Sequence, residues 1–167
     1  VKAAQAVTAV QKLFCGDRHI SRLVDRLAFG AYNKKIEHPR TDFDWLSRDA
    51  GRVDRYLADP QCGFVFTVNG FGALFELISR LYRKENLARI PKELPVYMVS
   101  GTADPVGGYG AGVQKAYRSL KDAGVKRVEL KLYRGGRHEL LNETNREEVT
   151  GDICQWIRTE VLKEKQP

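Results

Sequence analysis

The hydrophobic period of this chain changes once, near Pro91, and that change limits what the chain can fold into. Before it, apolar residues recur at helical spacing: Val7, Val10 and Phe14, then Ile20, Leu23, Val24 and Leu27. Cys15-Gly16-Asp17 separates the two stripes as a turn. A third helix is expected from a cap at Ser47 or Asp49, with Val53, Tyr56 and Leu57 inward, and stops at Asp59-Pro60. A fourth follows Thr67 and turns Leu74, Leu77, Ile78 and Leu81 inward. Its C-terminal end carries Arg80, Arg83 and Lys84, where the helix dipole favours cations.

After Pro91 the pattern is that of alternating strand and helix. PVYMVSG (95–101) is a short apolar run, opened by Pro and closed by Gly, as expected of a strand buried on both faces. VELKLY (128–133) alternates, placing Val128, Leu130 and Leu132 on one face. Between them, residues 109–124 carry Val113, Ala116, Tyr117 and Leu120 as a helical stripe that ends at Gly124. A last helix runs from about Thr144 to Lys163 with Val149, Ile153, Trp156 and Val161 inward. Strand, helix, strand at this length implies a right-handed parallel crossover. The fold class is therefore α/β: residues 1–90 form a helical segment, and residues 91–167 form the βαβα end of a doubly wound parallel sheet. Two strands are too few for such a sheet, and an unpaired edge on residues 95–100 invites aggregation, so further strands are expected from outside these residues.

Composition narrows the setting. No apolar run approaches the roughly 20 residues that a membrane span needs. The opening VKAAQAVTAVQKLF is interrupted by Lys2, Gln5, Thr8, Gln11 and Lys12, unlike a signal peptide, and its lack of an initial Met suggests a processed or excerpted chain. Cys15, Cys62 and Cys154 form no Cys-x-x-Cys pair, which argues against a disulfide framework and a zinc site and for a reducing, cytoplasmic setting. Residues 1–92 hold 16 Lys/Arg against 10 Asp/Glu, so nearly all of the net charge of +7 lies there. Such a face suits anionic lipid or nucleic acid in principle. Its arginines, however, recur at helical spacing between acids without stacking aromatics, so a solvated surface is favoured and no nucleic-acid partner is expected.

In a parallel sheet, chemistry sits in the loops after the carboxyl ends of the strands. Asp104, in SGTADPVGG, follows the first strand, and His138, in YRGGRHE, follows the second. A carboxylate there accepts the imidazole N–H, fixes its tautomer and stabilises the imidazolium of a general base. Taken singly, Asp104 before Pro105 also suits a plain turn, and His138 suits an exposed loop before a helix start favoured by Glu139 and Glu143. Acid after one strand and histidine after the next is the chain order of the α/β-hydrolase triad, whose nucleophile comes earlier.

These same stretches carry a family resemblance. PVYMVSGTADPVG and KLYRGGRHELLNETNREEVTGDICQWI resemble the C-terminal end of an α/β hydrolase of the monoacylglycerol lipase, lysophospholipase and serine aminopeptidase-like group. AYNKKIEHPRTDFDWLSRDAGRVDRYLADPQCGFVFT resembles the cap segment of bacterial members of the lysophospholipase type, most specifically in RTDFDWLSRD. The resemblance implies that residues 1–90 are a cap, that residues 91–167 are the C-terminal part of the hydrolase core, and that Asp104 and His138 are the triad acid and base. It implies hydrolysis of a carboxylic ester, of monoglyceride or lysophospholipid type, with no metal or organic cofactor. Phe29, Tyr32, Phe64, Phe66, Phe71 and Phe75 are candidates for an acyl pocket, though core packing is the commoner use of each. Asp44, Trp45 and Asp49 read as structural.

The pattern departs from the family at one point. None of Ser21, Ser47, Ser79, Ser100 and Ser119 lies in a Gly-x-Ser-x-Gly elbow, and Cys62, after an Asp-Pro turn, reads as an inert thiol. The serine is therefore expected outside this chain, on an N-terminal part that partners it, and the chain alone is expected to be inactive. Two rivals remain open: a non-catalytic helical binding module with a basic face, and a nucleotide-binding sheet using GGYGAG (107–112) as a phosphate loop.

Overall fold

A computed structural model describes residues 2–163. The helical half contains α1 (Lys2–Cys15), α2 (Arg22–Phe29), α3 (Ala50–Ala58), α4 (Val68–Leu81) and the short α5 (Lys84–Ala88). The caps explain where these begin. Ser21 Oγ accepts from Val24 N, Asp49 from Arg52 N, and Thr67 from Gly70 N, each satisfying an amide that has no partner inside its own helix. Asp49, rather than Ser47, starts α3.

The core of this half is Val24, Phe71 and Phe75, with Ala4, Val7, Ala28, Phe29 and Val65 packed around it. Here the periodic reading is corrected. In α1 the side facing inward carries Ala4, Val7 and Thr8, and the expected Val10 and Phe14 are 54% and 85% exposed. In α4 the buried stripe is Val68, Phe71 and Phe75, leaving Leu77 and Leu81 exposed. Ile20, Leu23, Leu27 and Leu57 are exposed as well, and so is Val161 in the last helix. A helix that is apolar on more than one side has no unique buried face in its period. The phenylalanines, with more surface to remove from water, take the interior here.

The second half holds β1 (Val96–Gly101), α6 (Ala111–Asp122), β2 (Val128–Tyr133) and α7 (Arg146–Trp156), which continues as a π-helical turn over Ile157–Val161. The two strands pair in parallel from Val96 opposite Val128 to Gly101 opposite Tyr133. Both therefore end level, and the loops that follow leave from the same edge. Val113, Ala116, Tyr117 and Leu120 form the half-buried side of α6, as their spacing predicts. Tyr133, Leu140 and Val149 form the second core, with Val99 and Ile153 against it. The α/β reading holds for this half in its βαβα order and parallel pairing, with two strands among the described residues.

Candidate functional site

Asp104 and His138 meet. His138 Nδ1 lies 3.2 Å from Asp104 Oδ1, with the imidazole side chain 37% exposed and the carboxylate 8% exposed. The loop after β1 holds the acid from several sides: Val106 N donates to Asp104 Oδ1 (2.8 Å), and Tyr109 N donates to the Asp104 carbonyl (2.7 Å). Gly101 makes the approach of the two loops possible, because a Cβ there would lie 1.9 Å from the Gly136 carbonyl oxygen. The run 107–112 folds back on itself, with Gly112 N donating to the Gly107 carbonyl (3.0 Å) and Ala111 N to that of Gly108 (3.2 Å). Amides committed in this way are not presented as a phosphate cradle.

The histidine loop is held by the helical half, and this was not legible in the sequence. His138 N donates to Trp45 O (3.3 Å) and Glu139 N to Leu46 O (2.8 Å). Arg137 Nη1 donates to the carbonyls of Asp44 (2.6 Å) and Ser47 (2.9 Å). Glu143, which reads in sequence as an acid near a helix start, is fully buried. Its carboxylate accepts from Arg48 N (3.1 Å), Arg48 Nε (2.8 Å), Arg137 N (2.9 Å) and Thr144 N (2.9 Å). Burial alone pushes that carboxyl up, but the hydrogen bonds from Arg137, Thr144 and Arg48 outweigh it and hold the group below its ordinary range. Asp44 is held low in the same manner by Thr41 and Arg40 N, against the opposing effect of its burial. The only signal in the sequence was the density of charge in RTDFDWLSRD and GGRHELLNE, which does not say that the two stretches face each other.

Aromatic side chains of the helical half complete the surroundings. Trp45, expected only as a buried structural residue, packs its ring 5.4 Å from that of His138. Tyr32 stands edge-on to Trp45 at 4.9 Å, and burial followed by the charge of Asp104 pushes its phenol up. Phe29, Phe64 and Phe66, with Phe43, Trp45 and Tyr56, line a cavity of about 520 Å³ beside this site, whereas Phe71 and Phe75 are core.

The serines are engaged elsewhere. Ser21 Oγ bonds to Gln11 Oε1, and those of Ser47, Ser79, Ser100 and Ser119 donate to the carbonyls of Asn142, Glu76, Gly101 and Lys115. Burial, with the nearby charges of Asp59 and Glu139, pushes the Cys62 thiol up and favours its unreactive protonated form. No set of three or more His, Cys, Asp or Glu side chains converges on a metal position among the described residues.

A parallel strand pair with helices around it, and functional-type side chains gathered at the carboxyl edge, is the architecture of part of an α/β-hydrolase fold. The sequence pattern of the family described as serine aminopeptidase, S33, matches residues 2–145, and the chain belongs to that family of hydrolases. Among solved structures it is similar to a carboxyl esterase from Bacillus coagulans, with 26% identity and a TM-score of 0.86 over 95% of this chain and 52% of the other. The monoacylglycerol lipase of Paleococcus ferrophilus shares the fold at 20% identity and a TM-score of 0.66, over 96% of this chain and 53% of the other. A monoglyceride lipase of Saccharomyces cerevisiae also shares it, at 20% identity and a TM-score of 0.64, over 95% and 47%. The chain thus spans about half the length of the structures it matches. No helix among the described residues is long and apolar enough to cross a membrane.

Proposed function

We propose that this chain supplies the acid, Asp104, and the base, His138, of a Ser-His-Asp triad that hydrolyses carboxylic esters of monoglyceride or lysophospholipid type. The serine lies outside the chain, on an N-terminal part of the hydrolase that partners it. Residues 1–90 serve as the cap, and residues 91–167 serve as the end of the core. The observation that carries this reading is the 3.2 Å approach of His138 Nδ1 to a buried Asp104, on loops that leave adjacent parallel strands at one edge.

With Nδ1 turned to the carboxylate, Nε2 is the nitrogen that takes the serine proton as the hydroxyl attacks the ester carbonyl. The imidazolium returns that proton to the departing alcohol, leaving an acyl-enzyme. Water, deprotonated by the same imidazole, then releases the acid and restores the serine. Alone, the chain has no activated hydroxyl and turns over no ester. Its free cysteines, two of them exposed, suit a reducing cytoplasm.

The test treats the purified material with a fluorophosphonate, which reacts only with activated serines, and reads the intact mass of every polypeptide present. The expected adduct falls on a partnering N-terminal segment. An adduct on one of this chain's own five serines refutes the assignment, as does the absence of any adduct in protein that retains both segments.

A further inference from the structure

Trp45 is the residue of the helical half that meets the histidine twice. Its carbonyl accepts the His138 amide at 3.3 Å, and its indole lies 5.4 Å from the imidazole. The residue is itself held from several sides. Asn33 Oδ1 accepts from Trp45 N at 2.9 Å, while Asn33 Nδ2 donates to Thr41 O at 2.6 Å. Tyr32 stands edge-on against the ring, and Phe29 edge-on against Tyr32 at 5.7 Å. The same indole forms part of the wall of the 520 Å³ cavity, whose other aromatic walls are Phe29, Phe43, Tyr56, Phe64 and Phe66.

We propose that Trp45 is both a positioning residue for His138 and a specificity-determining wall, standing between the imidazole and the aromatic cavity and setting how much of an ester's apolar portion the cavity admits. The inference rests on the triad reading above. A planar ring packed on an imidazole restricts its rotation, so the nitrogen facing Asp104 and the nitrogen facing the ester keep their directions. A wall shared with a cavity couples that support to substrate shape. Large apolar groups are held by the area they bury, and the indole decides where that area ends.

The experiment uses the complete hydrolase, serine-bearing part included, and compares Trp45→Phe and Trp45→Leu with the unsubstituted protein on p-nitrophenyl esters from acetate to decanoate. Leu keeps apolar bulk without a ring, and Phe keeps a smaller ring. Trp45→Leu is expected to lower kcat on the acetate by roughly 10- to 100-fold, the scale of a misplaced catalytic group. It is also expected to lower KM for the longest esters relative to the shortest. Trp45→Phe is expected to restore most of the lost kcat while keeping the shift toward longer chains. If Trp45→Leu stays within about twofold in kcat and in the ratio of long- to short-ester KM, the inference is wrong while the triad stands. It is equally wrong if Trp45→Phe loses as much kcat as Trp45→Leu. An unsubstituted complete protein that neither takes up fluorophosphonate nor turns over these esters overturns the triad reading, and the role of Trp45 with it.

Discussion

Glu143 offers the most demanding test of how the two halves are joined. Its side chain is 0% exposed, and replacement by Ala removes the acceptor of three backbone amides (Arg48, Arg137 and Thr144) and of the Arg48 guanidinium. An amide left without a partner costs about 1–3 kcal/mol when buried, and these three, on part-buried bonds with Arg48 and Thr144 at the surface, regain some water, so together they come to about 3 kcal/mol at most. Removal of one member of a buried ion pair costs about 3–5 kcal/mol by itself, but the Arg48 side chain is 34% exposed and recovers water, so the two contributions overlap rather than add. Glu143→Ala is therefore expected to lose about 3–5 kcal/mol in urea unfolding of the complete protein followed by circular dichroism. Glu143→Gln keeps one acceptor oxygen and is expected to lose less. The pH dependence has a definite sign. Because the folded protein holds this carboxyl below its ordinary value of 4.5, its contribution is present above that pH and is lost as the pH falls through the lower folded value. Glu143→Gln should flatten that acid limb. An Ala variant within about 1 kcal/mol of the parent, or an unchanged acid limb in Gln, refutes the view that Glu143 clamps the histidine loop to the helical half.

Other expectations follow from the same geometry. Asp104→Asn in the complete hydrolase should cut kcat about 10⁴-fold on a p-nitrophenyl ester with KM little changed, since the imidazole is then held in the wrong tautomer. His138→Ala should abolish turnover with little loss of stability, and retained turnover in either variant rules out the triad. Gly101→Ala forces a methyl group against the Gly136 carbonyl, so it should cost at least about 1–3 kcal/mol in urea and reduce activity by parting the two loops; a neutral effect on both is inconsistent with the close approach. Cys62, its thiol pushed up, should alkylate with iodoacetamide more slowly than the exposed Cys154 at neutral pH, as read by peptide mass mapping.

The strands were legible because their signal is local. A run of apolar, β-branched residues bounded by Pro and Gly specifies Val96–Gly101 almost to the residue, and alternation specifies Val128–Tyr133. Asp104 and His138 were legible for a related reason, since parallel pairing sends both following loops to one edge wherever the rest of the sheet lies. The start of α3 was legible to Ser47 or Asp49 and that of α4 to just after Thr67, and the structure makes Asp49 and Thr67 the caps, through side chains that reach amides only three residues away. The buried faces of α1 and α4 were not, because each helix is apolar on more than one side and the choice depends on which neighbour it meets. Glu143 reads in sequence as an acid near a helix start, and only the arrival of Arg48, 95 residues earlier in the chain, makes it a buried clamp.

The sequence by itself determined the order of elements, the βαβα texture of the second half and the placing of Asp104 and His138 in loops after adjacent strands, all of which follow from periodicity and turns within about 40 residues. Tertiary structure alone decided that RTDFDWLSRD lies against GGRHELLNE, that Trp45 packs on His138, and that Phe29, Phe64 and Phe66 face a cavity while Phe71 and Phe75 fill a core. The physical reason is one of range. Hydrogen bonds inside an element are set by neighbours in the chain, whereas an indole on an imidazole or a carboxylate shared by distant amides exists only once long loops have closed and water has left the space between them.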